Sequence, residues 1–203
     1  MKILRSVLFL ICIYSCTNSK ESSVNAQANV SVNDKPELKI GNIVDTLNGV
    51  FVYYNGSVSN VSERHLAKDG YNLGLKYQCV EFVKRYYYEH LKHKMPDSYG
   101  HAKDFYNSKF ADGELNIKRN LIQYKNGSSS KPNVKDLIVF DGHEYNPYGH
   151  VAIISEVGED YIEITQQNPG PTAPSRERIE LYQEGGKWYI SDDLTLGWLR
   201  KKD

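Results

Sequence analysis

Helical periodicity in this 203-residue chain falls between residues 79 and 110, and most of the short strand-like runs follow it, after residue 136. From Cys79 to about His93, apolar side chains recur with the spacing of one helix face, at Val80, Val83, Tyr87 and Leu91. The pair Met95-Pro96 would stop this helix, because proline cannot continue it. A second, shorter helix is predicted from His101 to Phe110. Two helices therefore precede most of the predicted strands.

Short runs of β-branched and aromatic residues predict the strands. One run precedes the helices and five follow them, at residues 49–54, 137–140, 150–157, 161–166, 188–191 and 194–199. Gly158-Glu159-Asp160 is a turn, so the strands on either side should pair as a hairpin. Residues 57–76 and 111–134 are interpreted as loops. This order predicts an α+β domain, with N-terminal helices packed on an antiparallel sheet.

The N-terminus has the pattern of an export signal. Lys2 and Arg5 precede an apolar stretch, Val7 to Tyr14, that is too short to span a bilayer. The stretch ends in Ile13-Tyr14-Ser15-Cys16, which resembles the lipobox of bacterial lipoproteins and predicts lipidation of Cys16. Ordinary cleavage near Ser15, or a chance cysteine, are the alternatives. The expected location is the cell envelope, with the protein anchored to a membrane.

Composition divides the rest into a tether and one domain. Residues 16–37 are polar and without aromatic side chains, as flexible linkers are, and residues 38–203 have the length of a single domain. Removing residues 1–15 takes away two basic residues and leaves 23 basic against 25 acidic ones. This balance lacks the basic excess of a nucleic-acid binder. We expect a monomer.

Cys79 is the cysteine that remains outside the signal region, so it cannot form an internal disulfide. At the start of a helix, its thiol is expected to have a lowered pKa, because unpaired N–H groups stabilise a thiolate. His150 begins a predicted buried strand further along the chain. Cysteine, then histidine, then a polar orienting residue is the order of a papain-type hydrolase. The alternatives are a buried, inert cysteine and a histidine of the core.

The strand after His150 offers candidates for the orienting residue. With a period of two, Ile162, Ile164, Gln166 and Asn168 share one face, and the two isoleucines make it the inward face. Gln166 or Asn168 would therefore reach the imidazole. A neutral amide can fix the tautomer of a catalytic histidine, although it stabilises an imidazolium less than a carboxylate does.

Five motifs in order resemble one family, the cysteine- and histidine-dependent amidohydrolases/peptidases (CHAP). They lie at residues 77–85, 136–140, 149–154, 166–168 and 196–199, and the resemblance extends over about residues 45–202. Within the family, Tyr77-Gln78-Cys79-Val80-Glu81-Phe82 and the basic pair Lys84-Arg85 are most similar to the amidase domain of bifunctional glutathionylspermidine synthetase/amidase. The resemblance implies a papain-like fold and cleavage of amide bonds.

The resemblance also implies site residues. Cys79 would be the nucleophile and His150 the general base and acid, while Gln166 occupies the position of the family's usual glutamate. This departure predicts a slower site, and replacing Gln166 with glutamate should raise its rate. The Cys79 backbone N–H, with a group of the preceding turn such as Gln78, would stabilise the oxyanion. Packing or helix capping is the alternative for Gln78.

Location favours one substrate class over another. An exported lipoprotein faces the cell wall, so peptidoglycan peptides are the expected substrate, and glutathionylspermidine is the alternative amide. A wall-binding or partner-binding module without catalysis is the second class of function, to which the Gln166 departure lends support. The remaining histidines form no metal signature, and neither a metal nor another cofactor is expected.

Overall fold

The computed structural model describes residues 37–170 and 173–202. The predicted signal peptide, the lipidation site Cys16 and nearly all of the predicted tether lie outside these ranges. Within them, no helix has both the length and the apolar character needed to cross a membrane.

Twelve strands and one α-helix make up the described part of the chain. In order they are β1 Ile43–Leu47, β2 Val50–Tyr53, β3 Arg64–Leu66, β4 Asn72–Leu75, α1 Cys79–Glu89, β5 Glu114–Asn116, β6 Leu121–Lys125, β7 Leu137–Phe140, β8 His150–Val157, β9 Tyr161–Thr165, β10 Arg176–Glu184, β11 Lys187–Ile190 and β12 Thr195–Arg200. Eight of the strands form one antiparallel sheet in the order β11-β10-β9-β8-β7-β12-β6-β5. The pairs β1–β2 and β3–β4 form two small hairpins. The domain is thus mostly sheet, with a single α-helix.

The predicted first helix is confirmed, although it is shorter than expected. Helix α1 begins at Cys79 after the extended residue Gln78, and its buried face carries Phe82, Val83, Tyr86 and Tyr87. It ends before the predicted His93, because Lys92 adopts a left-handed backbone conformation, with φ of 52°. A left-handed residue cannot continue an α-helix.

The predicted second helix is wrong. Residues Lys103–Phe105 form only a single 3-10 turn, and Tyr106 is already extended. The Phe105 carbonyl accepts a hydrogen bond from the Asn116 side chain, and the Asn107 backbone N–H donates to Gln123. These buried amides hold the segment by tertiary contacts instead of helical ones.

The two predicted loops, residues 57–76 and 111–134, contain strands. The first includes the β3–β4 hairpin and the second includes β5 and β6. Strand β10 was also absent from the prediction, since its sequence Arg-Glu-Arg-Ile-Glu-Leu alternates charges with few apolar residues. In β6 the inward positions are Leu121 and Gln123, and the buried glutamine conceals the apolar alternation.

Apolar side chains cover both faces of the main sheet. On one face, Val151 and Ile153 of β8 belong to the cluster that contains the buried face of α1 and Cys79. On the other, Ala152 and Ile154 pack with residues of β7, β9 and β10. Because α1 and β8 are packed against each other, their first residues, Cys79 and His150, are both positioned by the core.

Candidate active site

The thiol of Cys79 lies against the start of β8. The residue is 9% exposed, and the backbone N–H groups of Val151, Val80 and Cys79 itself are directed at the sulfur. Burial raises the pKa of the thiol to about 11, and the three N–H groups oppose this rise only in part. The expectation of a lowered pKa at the helix start is therefore wrong for this structure, because desolvation outweighs the helix terminus.

His150 is the first residue of β8, next to the Val151 N–H that faces the thiol. Its Nε2 lies 3.0 Å from Oε1 of Gln166. Burial lowers the pKa of His150 to about 4, and the bond to Gln166 opposes that change. Both shifts favour uncharged groups, so the resting pair is a neutral thiol and a neutral imidazole.

The Gln166 amide determines the histidine tautomer. Gln166 is 3% exposed, and its Nε2 lies 3.1 Å from the Pro174 carbonyl oxygen and 3.1 Å from Oε2 of Glu177. Since both amide hydrogens point to acceptors, Oε1 is the atom that faces His150 and it must accept. Nε2 of His150 therefore carries the proton, and Nδ1 is left as the basic nitrogen.

Gln78 and Asn168 are hydrogen-bonded to each other beside the helix start, and neither is hydrogen-bonded to the His150 imidazole. Asn168 Nδ2 donates to Oε1 of Gln78 at 2.9 Å and to the Val58 carbonyl at 3.0 Å. Nε2 of Gln78 donates to the carbonyls of Val58 and Asn60, at 3.2 Å and 2.7 Å. Gln78 and Asn168 thus bind the backbone of residues 58–60. Of the two candidates for the residue that orients His150, Gln166 and Asn168, only Gln166 is hydrogen-bonded to it.

A buried polar cluster beneath Cys79 was missed by the sequence reasoning. Glu81, which is fully buried, accepts from Arg85 Nε at 2.6 Å and from Gln167 Nε2 at 2.8 Å, and lies 2.7 Å from Nδ1 of His65. Gln167 also donates to the Gln78 carbonyl at 3.0 Å. The cluster thereby joins the helix start to the end of β9. Glu81 lies on the side of α1 away from its apolar face, so the helical pattern gave no signal for its burial.

A cavity of about 340 Å³ adjoins the imidazole. His150, Gln166 and Glu177 line it together with apolar side chains, among them Phe140, Ile164, Ile179 and Leu194. Asp141 and Asp192 also face it. Such a mixture of apolar walls and a few polar groups is typical of a substrate pocket.

The comparisons with known proteins agree with this geometry. The CHAP domain family matches residues 69–168, a stretch that includes Cys79, His150 and Gln166. This chain carries a CHAP domain. The resemblance predicted from the sequence is confirmed, and thiol-dependent hydrolysis of amide bonds is the kind of function that the CHAP domain supports.

Two relatives illustrate the similarity. Over 136 residues the chain is 32% identical to trypanothione synthetase from Crithidia fasciculata. The aligned stretch covers 62% of this chain and 21% of the relative. Over 138 residues it is 31% identical to the bifunctional glutathionylspermidine synthetase/amidase of Escherichia coli (strain K12), with 63% and 22% covered. The chain thus spans about a fifth of the length of the curated relatives it matches.

Proposed function

We propose that this protein is a cysteine-nucleophile amidase or endopeptidase that cleaves amide bonds of cell-wall peptides from a membrane-anchored position. One observation carries the catalytic part of this proposal. The thiol of Cys79 lies at a helix start beside β8, whose first residue, His150, is held in one tautomer by Gln166. Nucleophile, base and orienting group are the three members that a thiol hydrolase requires.

In this mechanism the thiol loses its proton as it attacks the substrate carbonyl. A resting neutral pair means that Nδ1 of His150 acts as general base during the attack, while the backbone N–H of Cys79 donates to the developing oxyanion. The imidazolium then returns its proton to the leaving amine, and a thioester to Cys79 remains. Water, activated by the same nitrogen, hydrolyses the thioester and regenerates the thiol.

The wall substrate and the anchor rest on the N-terminal sequence. The lipobox-like segment ending at Cys16 supports export and lipidation, and an exported enzyme meets peptidoglycan peptides outside the cytoplasm. The anchor requires Cys16, so a Cys16→Ser protein that stays in the membrane fraction would contradict it.

A second candidate is a glutathionylspermidine-type amidase. The observation in its favour is the similarity to relatives whose names include glutathionylspermidine synthetase/amidase. A third candidate, a binding module without catalysis, is favoured only by the glutamine at position 166.

Mass spectrometry of reaction products tests these candidates. The purified full-length protein in detergent is mixed separately with peptidoglycan and with glutathionylspermidine, and the Cys79→Ala protein serves as the control. We expect muropeptide fragments that are absent from the control. Release of spermidine alone would instead establish the second candidate, and no product from a folded protein would favour the binding module.

A further inference from the structure

The Gln166 amide lies between two groups with different charges. Its oxygen faces the His150 imidazole, and its nitrogen faces the carboxylate of Glu177. The three side chains thus form a chain of hydrogen bonds that ends in a negative charge. Such a chain can polarise the amide and increase the partial negative charge on its oxygen.

We propose that Glu177 is a positioning residue of the catalytic pair, which fixes the orientation of the Gln166 amide and supplies, through it, the negative charge that glutamine lacks. This inference rests on the proposed function, because it concerns the same His150. In this proposal the carboxylate that supports His150 belongs to Glu177 on strand β10, and it acts on the imidazole through the Gln166 amide.

The register of the sheet holds Glu177 in place. Glu177 of β10 is paired with Ile164 of β9, two residues before Gln166, and the Gln166 N–H donates to the Ser175 carbonyl at 2.8 Å. Directly paired residues of an antiparallel sheet share a face, and residues two apart on one strand do so as well. Glu177, Ile164 and Gln166 therefore face the same side.

The anchoring of the amide involves two acceptors of different kinds. The Pro174 carbonyl fixes one hydrogen of the Gln166 amide, and the Glu177 carboxylate fixes the other. A flipped amide would place its oxygen against both acceptors and its nitrogen against Nε2 of His150. The charged acceptor makes that flip more costly than a neutral one would, because charge-assisted hydrogen bonds are stronger.

Glu177 is an exposed residue, so solvent screens its charge and its effect on His150 is moderate. Besides His150 and Glu177, the ionisable side chains that line the cavity are Asp141, His143, Tyr145 and Asp192. These groups stay unchanged in the variants below. A difference between variants therefore reports Glu177.

The arrangement changes the expected result of the Gln166→Glu replacement. A glutamate at position 166 would face the Glu177 carboxylate and the Pro174 carbonyl oxygen, where Gln166 now presents its amide hydrogens. Two like charges in contact are unfavourable, so the single variant should be slower than the wild type. Removing the second charge with Glu177→Gln should relieve the conflict and place the carboxylate next to His150.

The first test is steady-state kinetics on the amide substrate found for the wild type. We expect Glu177→Gln to lower kcat about fivefold with KM unchanged, because the bond from Gln166 loses its charged acceptor and becomes a weaker, neutral one. Glu180→Gln is the matched control, since it removes the same charge from the same strand on the opposite face. A raised KM with unchanged kcat would overturn the proposal, because Glu177 would then bind substrate directly.

The charge exchange is the sharper test. We expect the double variant Gln166→Glu/Glu177→Gln to be at least as fast as the wild type, and Gln166→Glu alone to be slower. If Gln166→Glu alone equals or exceeds the double variant, Glu177 has no part in orienting the site and the proposal fails.

A readout without turnover separates this proposal from the proposed function. In nitrogen-15 NMR spectra of the Cys79→Ala protein, we expect His150 to be protonated at Nε2, and Glu177→Gln to give a mixture of both tautomers. Glu180→Gln should leave the signals unchanged. A single, unaltered tautomer in Glu177→Gln would overturn the positioning role, even if no substrate were cleaved by any variant.

Discussion

Burial acts on Cys79 and His150 in opposite directions and leaves both uncharged. It raises the pKa of the thiol to about 11 and lowers the pKa of the imidazole to about 4. A preformed thiolate–imidazolium pair would need the reverse order of these values. In the proposed mechanism the thiolate therefore forms during the attack, with His150 taking the proton as the carbon–sulfur bond forms.

This resting state predicts the pH dependence of Cys79 alkylation. The thiolate fraction of a thiol with a raised pKa rises by about tenfold for each pH unit below that pKa. We therefore expect the rate of modification by iodoacetamide to increase steadily from pH 6 to 9, as measured on the Cys79 peptide by mass spectrometry.

The His150→Ala protein is the control for that measurement. Without an ion pair its profile should have the same slope as that of the wild type. A plateau below pH 8 that disappears in His150→Ala would show a preformed ion pair and contradict the neutral resting state.

At the scale of secondary structure elements, Glu81 joins α1 to its surroundings. It contacts Arg85 on the same helix, His65 of β3 and Gln167 after β9. Burial alone would raise the pKa of Glu81, but the bonds from His65, Arg85 and Gln167 outweigh it and lower the pKa below 4.5. The carboxylate is thus charged inside the protein, where its partners compensate for lost hydration.

Removing this charge should destabilise the domain. Glu81→Gln leaves the guanidinium of Arg85 buried without its counter-charge, and we expect the free energy of unfolding to fall by about 3 kcal/mol. Glu89→Gln is the control, because Glu89 lies on the same helix and is exposed. Urea unfolding followed by circular dichroism measures the difference.

The pH dependence provides a second check on Glu81. A carboxyl whose folded pKa lies below its unfolded value contributes stability above pH 4.5 and loses it as the pH falls through the folded pKa. The difference in the free energy of unfolding between the wild type and Glu81→Gln should therefore become smaller only below pH 4.5. A constant gap down to pH 2 would mean that the carboxylate charge is not the source of the stability.

For the molecule as a whole, β12 is the strand that completes the sheet. It is the C-terminal strand of the described chain, yet it lies inside the sheet between β7 and β6. Trp198 and Leu199 of β12 are fully buried, one in each of the two apolar clusters. The eight-stranded sheet is therefore incomplete until β12 has paired with both β7 and β6.

Gly197 is the most constrained position of β12. Its φ is 153°, and an added Cβ would overlap the Tyr124 carbonyl of β6. We expect Gly197→Ala to lower the free energy of unfolding by about 3 kcal/mol, because the strands must separate to make room. Thermal unfolding followed by circular dichroism measures this loss.

Gly185→Ala is the matched control. Gly185 also has a positive φ, of 56°, but a Cβ there would meet no neighbouring atom within 4 Å. Gly185→Ala should lower the free energy of unfolding by about 1 kcal/mol, because alanine is strained at a positive φ even where its Cβ meets no neighbour. Equal losses in the two variants would show that the contact with β6 contributes nothing at Gly197.

The sequence by itself predicted the elements whose patterns are local. Helix α1, the strands β2, β7, β8, β9, β11 and β12, and the β8–β9 hairpin follow from apolar periodicity and turn residues. Cys79 and His150 were identifiable as candidate site residues because a lone thiol at a helix start and a histidine at a strand start are unusual placements. The inward face of β9 also pointed to Gln166.

Only the tertiary structure decided the rest, because those features depend on partners far apart in the chain. The side-chain amides of Asn116 and Gln123 replace the predicted second helix with a 3-10 turn, and β10 is a strand because β9 pairs with it. The choice of Gln166 over Asn168 likewise needed the folded chain. The raised pKa of the Cys79 thiol follows from burial by the packed domain, which outweighs the local effect of the helix start.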